Sequence, residues 1–293
     1  MSCSLVDTFT KMLPGSIQIT GETLSGAEIK DICDSLKENS VRLLSIRGCQ
    51  LSDRDFGRVC RGVAESHSLA QLNMNLGVVS TINRTKHLAD ALKTNRSIQT
   101  LFLHGSPLLD AGLVTLNTAL STHPSLVSLD LGDCMLGDEA LRLICAMLPP
   151  DGAKSGLREL TLSANPSITT KGWARLAIAV AHSSQLRVLN LDYNPLGDQI
   201  AGMLAVAVAS SRTLEVLDLE GTGLSNQSAQ ILRCSSLITN PYAPYFWLAA
   251  PPPQKALAKL KHLHFWSCLT QESKKETMFP VLTSPPTHLT GLK

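Results

Sequence analysis

The stretch SLVSLDLGDCMLGDEALRLICAML, residues 125–148, holds one full copy of the pattern that decides the fold. Leu126, Leu129 and Leu131 come first, spaced L-x-x-L-x-L, and Cys134 and Leu136 follow. The period then changes, and Leu141, Ile144 and Leu148 stand on one face of a helix. Alternation at Leu129 and Leu131 is that of a short strand whose every second side chain points inward. The same order returns in QLRVLNLDYNPLGDQIAGMLAVAVA, residues 185–209, where Leu186, Leu189, Leu191, Asn194 and Leu196 precede Ala201, Leu204 and Val208. A third clear copy runs Leu214, Leu217, Leu219, Thr222 and Leu224.

Working outward, weaker copies begin at Val41, Leu69, Ile98 and Leu157, and a worn one lies at Ile17, Ile19 and Leu24. Copies start at 14, 41, 69, 98, 126, 157, 186 and 214, so the spacing stays between 27 and 31 residues. One unit of this kind cannot bury its own apolar face, so the units must stack. Strand, helix, strand at this period predicts parallel strands lining the inside of a curve and helices covering the outside. The Asn or Cys that follows the strand sits where the chain turns off it, and an inward polar group there can satisfy buried backbone. Asp or Ser near the helix starts, as in Gly137-Asp138 and Gly197-Asp198, suits helix N-termini.

These columns resemble the ribonuclease-inhibitor type of leucine-rich repeat, also found in the sensor domains of NOD-like receptors. The resemblance covers residues 14–232 and implies an α/β horseshoe solenoid of about eight units, with a concave strand face and a convex helical one. Proteins of this kind include passive scaffolds, GTPase activators, ribonuclease inhibitors and ligand sensors. The sensor role needs a nucleotide-binding domain, which this sequence does not contain.

Composition agrees with such a core. Hydrophobic residues make up 44% and aromatics only 4%, so the interior must be aliphatic, and a net charge of +2 gives no nucleic-acid footprint. Residues 1–14 lack the basic start and apolar run of a secretory signal, and no apolar stretch is long enough to span a bilayer. The expected setting is cytoplasmic and the expected state monomeric, with no membrane, nucleic-acid or small-molecule partner. Five of the eight cysteines fall in two structural columns, Cys33, Cys60 and Cys145 beside the helical core and Cys49 and Cys134 at the turn. Buried structural thiols are expected there rather than redox or metal sites. The sequons at Asn83, Asn95 and Asn226 are expected to stay unmodified.

The regular solenoid is expected over 14–232, after an N-terminal cap at 1–13. Arg233 falls where Cys, Ala or Leu belongs, Ser236 where Val or Leu belongs, and ITNPYAPYFWLAAPPP follows with prolines that exclude regular helix. Residues 233–270 read either as a divergent cap or as the product of an alternative exon or frame. The abruptness of the column break favours the second reading, which implies poor packing and exposed Tyr242, Tyr245, Phe246 and Trp247. A degenerate strand is expected at Leu260, Leu263, Phe265 and Cys268, and a flexible tail over 271–293.

Catalytic signatures are absent: there is no Walker loop, no GxGxxG after a strand, no GxSxG, no HExxH and no EF-hand loop. Neither catalytic residues nor a cofactor are therefore expected. His262 and His264 share a strand face near Cys268, a weak zinc pattern without paired ligand spacing. Function should lie on the outward strand columns. The first reads Gln18, Ser45, Asn73, Phe102, Asp130, Thr161, Asn190, Asp218, and the next Thr20, Arg47, Asn75, His104, Gly132, Ser163, Asp192, Glu220. One end is weakly basic through Arg42 and Arg47, and the other acidic through Asp130, Asp133, Asp192, Asp218 and Glu220. Phe102, His104 and Tyr193 are the outward groups most like interface anchors. The expected function is a non-catalytic scaffold or adaptor whose acidic end docks a basic protein segment. The alternative is a regulator of an enzyme, a GTPase activator or an inhibitor, with Arg42 and Arg47 the concave candidates for an arginine offered to a transition state.

Overall fold

The computed structural model describes residues 15–148, 156–237 and 262–264. The expected cap at 1–13, the aromatic run 242–247, Cys268 and the tail 271–293 lie outside these residues. Nine short strands follow one another among the described residues: β1 (Ser16–Thr20), β2 (Leu43–Arg47), β3 (Gln71–Asn73), β4 (Thr100–Phe102), β5 (Ser128–Asp130), β6 (Glu159–Thr161), β7 (Val188–Asn190), β8 (Val216–Asp218) and β9 (His262–His264). Eight helices separate them: α1 (Gly26–Lys37), α2 (Asp53–Glu65), α3 (Ile82–Thr94), α4 (Leu109–Thr122), α5 (Asp138–Ala146), α6 (Thr170–His182), α7 (Gly197–Ser210) and α8 (Asn226–Leu237).

All strands pair in parallel and in sequence order, giving one open sheet with β1 and β9 as its edges. The register carries each repeat column straight into the next, so Leu129 stands beside Leu101 and Leu160, and Leu189 beside Leu217. Such a ladder of helices on strands is the leucine-rich-repeat solenoid. Beyond α8, β9 continues the same register, with Leu263 beside Leu217 and His264 beside Asp218.

Alternation along each strand places the core. Leu44, Leu72, Leu101, Leu129, Leu160, Leu189 and Leu217 are buried, as are Ile46, Met74, Leu103, Leu131, Leu162, Leu191 and Leu219 two residues on. Each such side chain stabilises the stack by about 2 kcal/mol through burial alone. Helices close the core from the other side through the expected triads, Phe56-Val59-Val63, Leu113-Leu116-Leu120 and Trp173-Leu176-Val180 among them.

The polar turn column stitches repeats together. Asn165 Nδ2 donates to the carbonyls of Leu131, Leu162 and Ser163, each at 3.0 Å, while its Oδ1 accepts from Cys134 N–H at 3.3 Å and Leu136 N–H at 3.0 Å. Asn194 Oδ1 in turn accepts from Asn165 N–H at 2.7 Å. Where the column carries Cys134, the thiol donates to the carbonyls of Leu103 and Gly132. A buried backbone that would otherwise lack partners is thus satisfied from one column.

Helix starts differ from the sequence expectation. Asp138 and Asp198 lie inside the first turns of α5 and α7, whose N-caps Gly137 and Leu196 make no side-chain capping bond. Their carboxylates reach forward instead. Asp138 accepts from Thr169 N–H at 2.9 Å, and Asp198 from Ser225 N–H at 2.8 Å, both at the start of the next helix. Asp110 does the same for α5, accepting from Gly137 N–H at 2.7 Å and Ala140 N–H at 3.2 Å. Free N–H groups and the positive end of the helix dipole draw a carboxylate from whichever repeat can reach. Self-capping persists in α1, where Ser25 and Glu28 form a reciprocal capping box.

Candidate protein-binding face

The outward strand residues form one continuous face, but not one uniform patch. Every strand from β1 to β8 is followed in the same way, with a residue in the left-handed backbone region immediately past the second outward column. Gly21, Gly48, Gly105 and Gly221 occupy it, and so do Leu76, Asp133, Ala164 and Tyr193, with φ between 47° and 75°. The sequence carried a trace of this column in its four glycines, yet the other four residue types hid it. The conformation is costly for a side chain, by about 1 kcal/mol. It sets Leu76 and Tyr193 on the rim, 47% and 56% exposed.

This turn also employs part of the first outward column. Asp130 Oδ1 accepts from Gly132 N–H at 2.9 Å, and Asp218 Oδ1 from Glu220 N–H at 3.1 Å. Asn73 and Asn190 do the same for Asn75 and Asp192. Short polar side chains that bond the backbone two residues on stabilise such turns. Asp130 and Asp218 are therefore turn-forming groups as well as surface charges.

The nine residues singled out by sequence fall into three places. Arg47 is exposed at the end of β2, with no ion pair among the described residues. Phe102 ends β4 beside Asp130 at the end of β5, and His104 lies two residues past β4. There His104 Nδ1 stands 3.7 Å from Asp130 Oδ1, and the His104 and Ser163 side chains close over Gly132, leaving no room for a Cβ. Asp133 is on the rim beside them, in the left-handed turn position rather than on a strand. Thr161 and Ser163 of the next repeat carry no charge, so the acids divide at β6.

The last group is the denser one. Asp192, Asp218 and Glu220 come from two adjacent repeats, and Tyr193 rises beside them. Its hydroxyl donates to Glu220 Oε1 at 2.9 Å, and its ring lies over Gly221, where an added Cβ would meet Tyr193 Cδ1 at 2.7 Å. Burial, then the charges of Asp218 and Glu220, push the Asp192 carboxyl above the usual range, against hydrogen bonds from Asn190 and Ser163. Asp192 Oδ1 is buried with no hydrogen-bond partner. The hydrogen bond to Glu220 likewise raises the Tyr193 phenol. Among the described residues, no Lys or Arg pairs with any of the three acids.

Other chemistry is structural. Burial raises the thiols of Cys60 and Cys134 to about 12 and that of Cys145 to about 11, the reverse of a reactive cysteine. Asn95, which heads a sequon, is 1% exposed, with its amide held by the carbonyls of Val63 and Ser66. Among the described residues, no three His, Cys, Asp or Glu side chains form a metal-sized group. No helix among them is long and apolar enough to cross a membrane.

Comparison with known proteins places this geometry. The Leucine Rich repeat family matches residues 122–145 and 182–205. The chain is 78% identical over 193 residues to leucine-rich repeat-containing protein 73 of Homo sapiens, covering 66% of this chain and 61% of that protein. It therefore spans about three fifths of that relative's length. It is 30% identical over 185 residues to NACHT, LRR and PYD domains-containing protein 5 of Bos taurus, covering 62% of this chain and 16% of that one. A ribonuclease inhibitor of Mus musculus is 26% identical over 173 residues, 58% of this chain and 37% of the inhibitor. No catalytic family is indicated among these relatives. With the stacked parallel strands and the Asn and Cys turn column, these matches make the chain a leucine-rich-repeat protein.

Proposed function

We propose that this chain is a non-catalytic scaffold or adaptor, and that the end of its strand face at β7 and β8 docks a basic segment of a partner protein. The observation that carries this reading is the group of Asp192, Asp218 and Glu220, which faces no cation among the described residues. Their mutual repulsion, felt in the raised Asp192 carboxyl, is relieved when a partner's Lys or Arg approaches. Tyr193 supplies a rigid ring of the kind that anchors interfaces, held in place by Glu220. Phe102, His104, Asp130 and Asp133 would extend the contact, and Arg47 would favour an acidic group at the far end.

Regulation of an enzyme is a second form of the same binding, favoured by the similarity to a ribonuclease inhibitor. Proximity labelling in cells identifies candidate partners. Recovery of each by the wild type and by the Asp192→Lys, Asp218→Lys, Glu220→Lys variant then tests the site. Recovery of the same partners in equal amount contradicts it, and a GTPase assay with a panel of small GTPases tests the regulatory form.

A further inference from the structure

The opposite edge of the sheet, where helices end and strands begin, has a different character. A cleft of about 700 Å3 runs along this edge over the first four repeats, from Gly15 to Ser125. Arg42, Arg96, His67, Asn39 and Gln99 line it together with a row of serines, and no carboxylate does.

The serines face the cleft with their hydrogens already committed. Ser68 donates to the Val41 carbonyl at 2.7 Å, Ser97 to that of Leu69 at 2.8 Å, and Ser125 to that of Ile98 at 2.8 Å. These bonds tie each repeat edge to the one before. Asn39 is also engaged, accepting from His67 N–H at 2.7 Å. By contrast, the side chains of Arg42, Arg96 and Gln99 make no hydrogen bond or ion pair with any described residue. Arg42 shares its repeat column with Arg187, which pairs with Glu215 of the following repeat. The corresponding residue after Arg42 is Ala70, so its charge is left unmatched. The field of Arg96 is felt inside the fold, where it adds to burial in pushing the His123 imidazole down to about 4.

We propose that this edge is a second binding site, for a short acidic segment of a partner protein lying extended across the repeats, with its carboxylates on Arg42 and Arg96. Arg42 immediately precedes β2, and Arg96 follows Asn95, the C-cap of α3, so both guanidinium groups border the one cleft. Guanidinium forks match carboxylates in a bidentate geometry, and unpaired ones hold their full charge for a ligand. This site is independent of the acidic strand face and stands or falls separately from it.

The test uses a fluorescein-labelled peptide of alternating Glu and Gly, about eight residues long, and the full chain, read by fluorescence anisotropy at low and high salt. Wild type is expected to bind, more weakly as salt rises, and Arg42→Glu, Arg96→Glu is expected to bind at least about tenfold less tightly. Lys171→Glu, at the exposed start of α6 and outside the cleft, is expected to leave the affinity unchanged. Both cleft arginines are exposed, so the circular-dichroism melts of these variants should superimpose on wild type. Equal binding by the double variant, equal loss with Lys171→Glu, or no binding of the peptide by wild type would overturn the proposal.

Discussion

Tyr193 donates its phenol hydroxyl to Glu220 Oε1 at 2.9 Å, bridging two successive repeats on the rim of the sheet. Tyr193 is in the left-handed backbone region at φ 54°, and the residue after Glu220 is Gly221 at φ 64°. The tyrosine stands out because its neighbour has no side chain to occupy the same space. A costly backbone conformation, a flanking glycine and a carboxylate thus combine to present one exposed ring beside three acids.

That arrangement makes a prediction about the phenol. Glu220 is the main cause of its raised pKa, first by hydrogen bond and then by charge. Glu220→Gln removes the charge and should bring the Tyr193 titration down toward the ordinary value near 10. Ultraviolet difference absorbance at alkaline pH, with Tyr193→Phe to assign the signal, measures it. An unmoved titration would show that the bridge is absent in solution.

Asn165 should be the most sensitive single residue of the turn column. Asn165→Ala strands the N–H groups of Cys134 and Leu136 in the interior. At about 1–3 kcal/mol for each orphaned group, the expected loss is roughly 3 kcal/mol. Asn165→Asp should be as damaging, because a carboxylate cannot donate to the Leu131 and Leu162 carbonyls. Urea denaturation with hydrogen exchange at residues 134–136 checks both. Loss below about 0.5 kcal/mol would contradict the role assigned to the column.

How much of this was open to sequence reading follows from chemistry. Leu129 and Leu131 announce a strand because only alternation buries both, and Asn194 announces its turn because few residues can serve donors and acceptors together. Helix faces such as Trp173, Leu176 and Val180 were legible for the same reason. The left-handed column was not, since Tyr193 and Leu76 do not advertise positive φ. Nor was the forward reach of Asp138, because a carboxylate near a helix start looks the same whether it caps its own helix or the next. The acidic columns named Asp130, Asp192, Asp218 and Glu220, but only the structure separates Asp130, which stands near His104, from the three acids beyond β6.

Acid should destabilise the fold through His123. Its imidazole is buried, and burial followed by the Arg96 charge lowers its pKa from 6.5 to about 4. The folded state therefore keeps it neutral while the unfolded state takes up a proton. The resulting stability is complete above about 6.5 and is lost as pH falls from there toward 4, by at most about 3 kcal/mol. Thermal melts at pH 7.5 and 4.5 should show a smaller drop for His123→Gln than for wild type. Equal drops would assign the acid sensitivity to other groups.

The cysteines should behave as core residues. Thiols at Cys60 and Cys134, raised to about 12, hold almost no thiolate at pH 8. Iodoacetamide labelling read by peptide mass spectrometry should leave both unmodified in the native chain and modify both in urea. Prompt native labelling of either would contradict their burial.

The docking of a basic segment on the β7 and β8 end of the face is tested most directly by one affinity comparison. A fluorescein-labelled peptide of alternating Lys and Gly, about eight residues long, is titrated with wild type and with Asp192→Asn, Asp218→Asn, Glu220→Gln. The amides keep the turn acceptor of Asp218 while removing all three charges. The account predicts binding by wild type that the neutral variant weakens about tenfold or more, equivalent to roughly 1.4 kcal/mol. Equal affinities for the two proteins would contradict it.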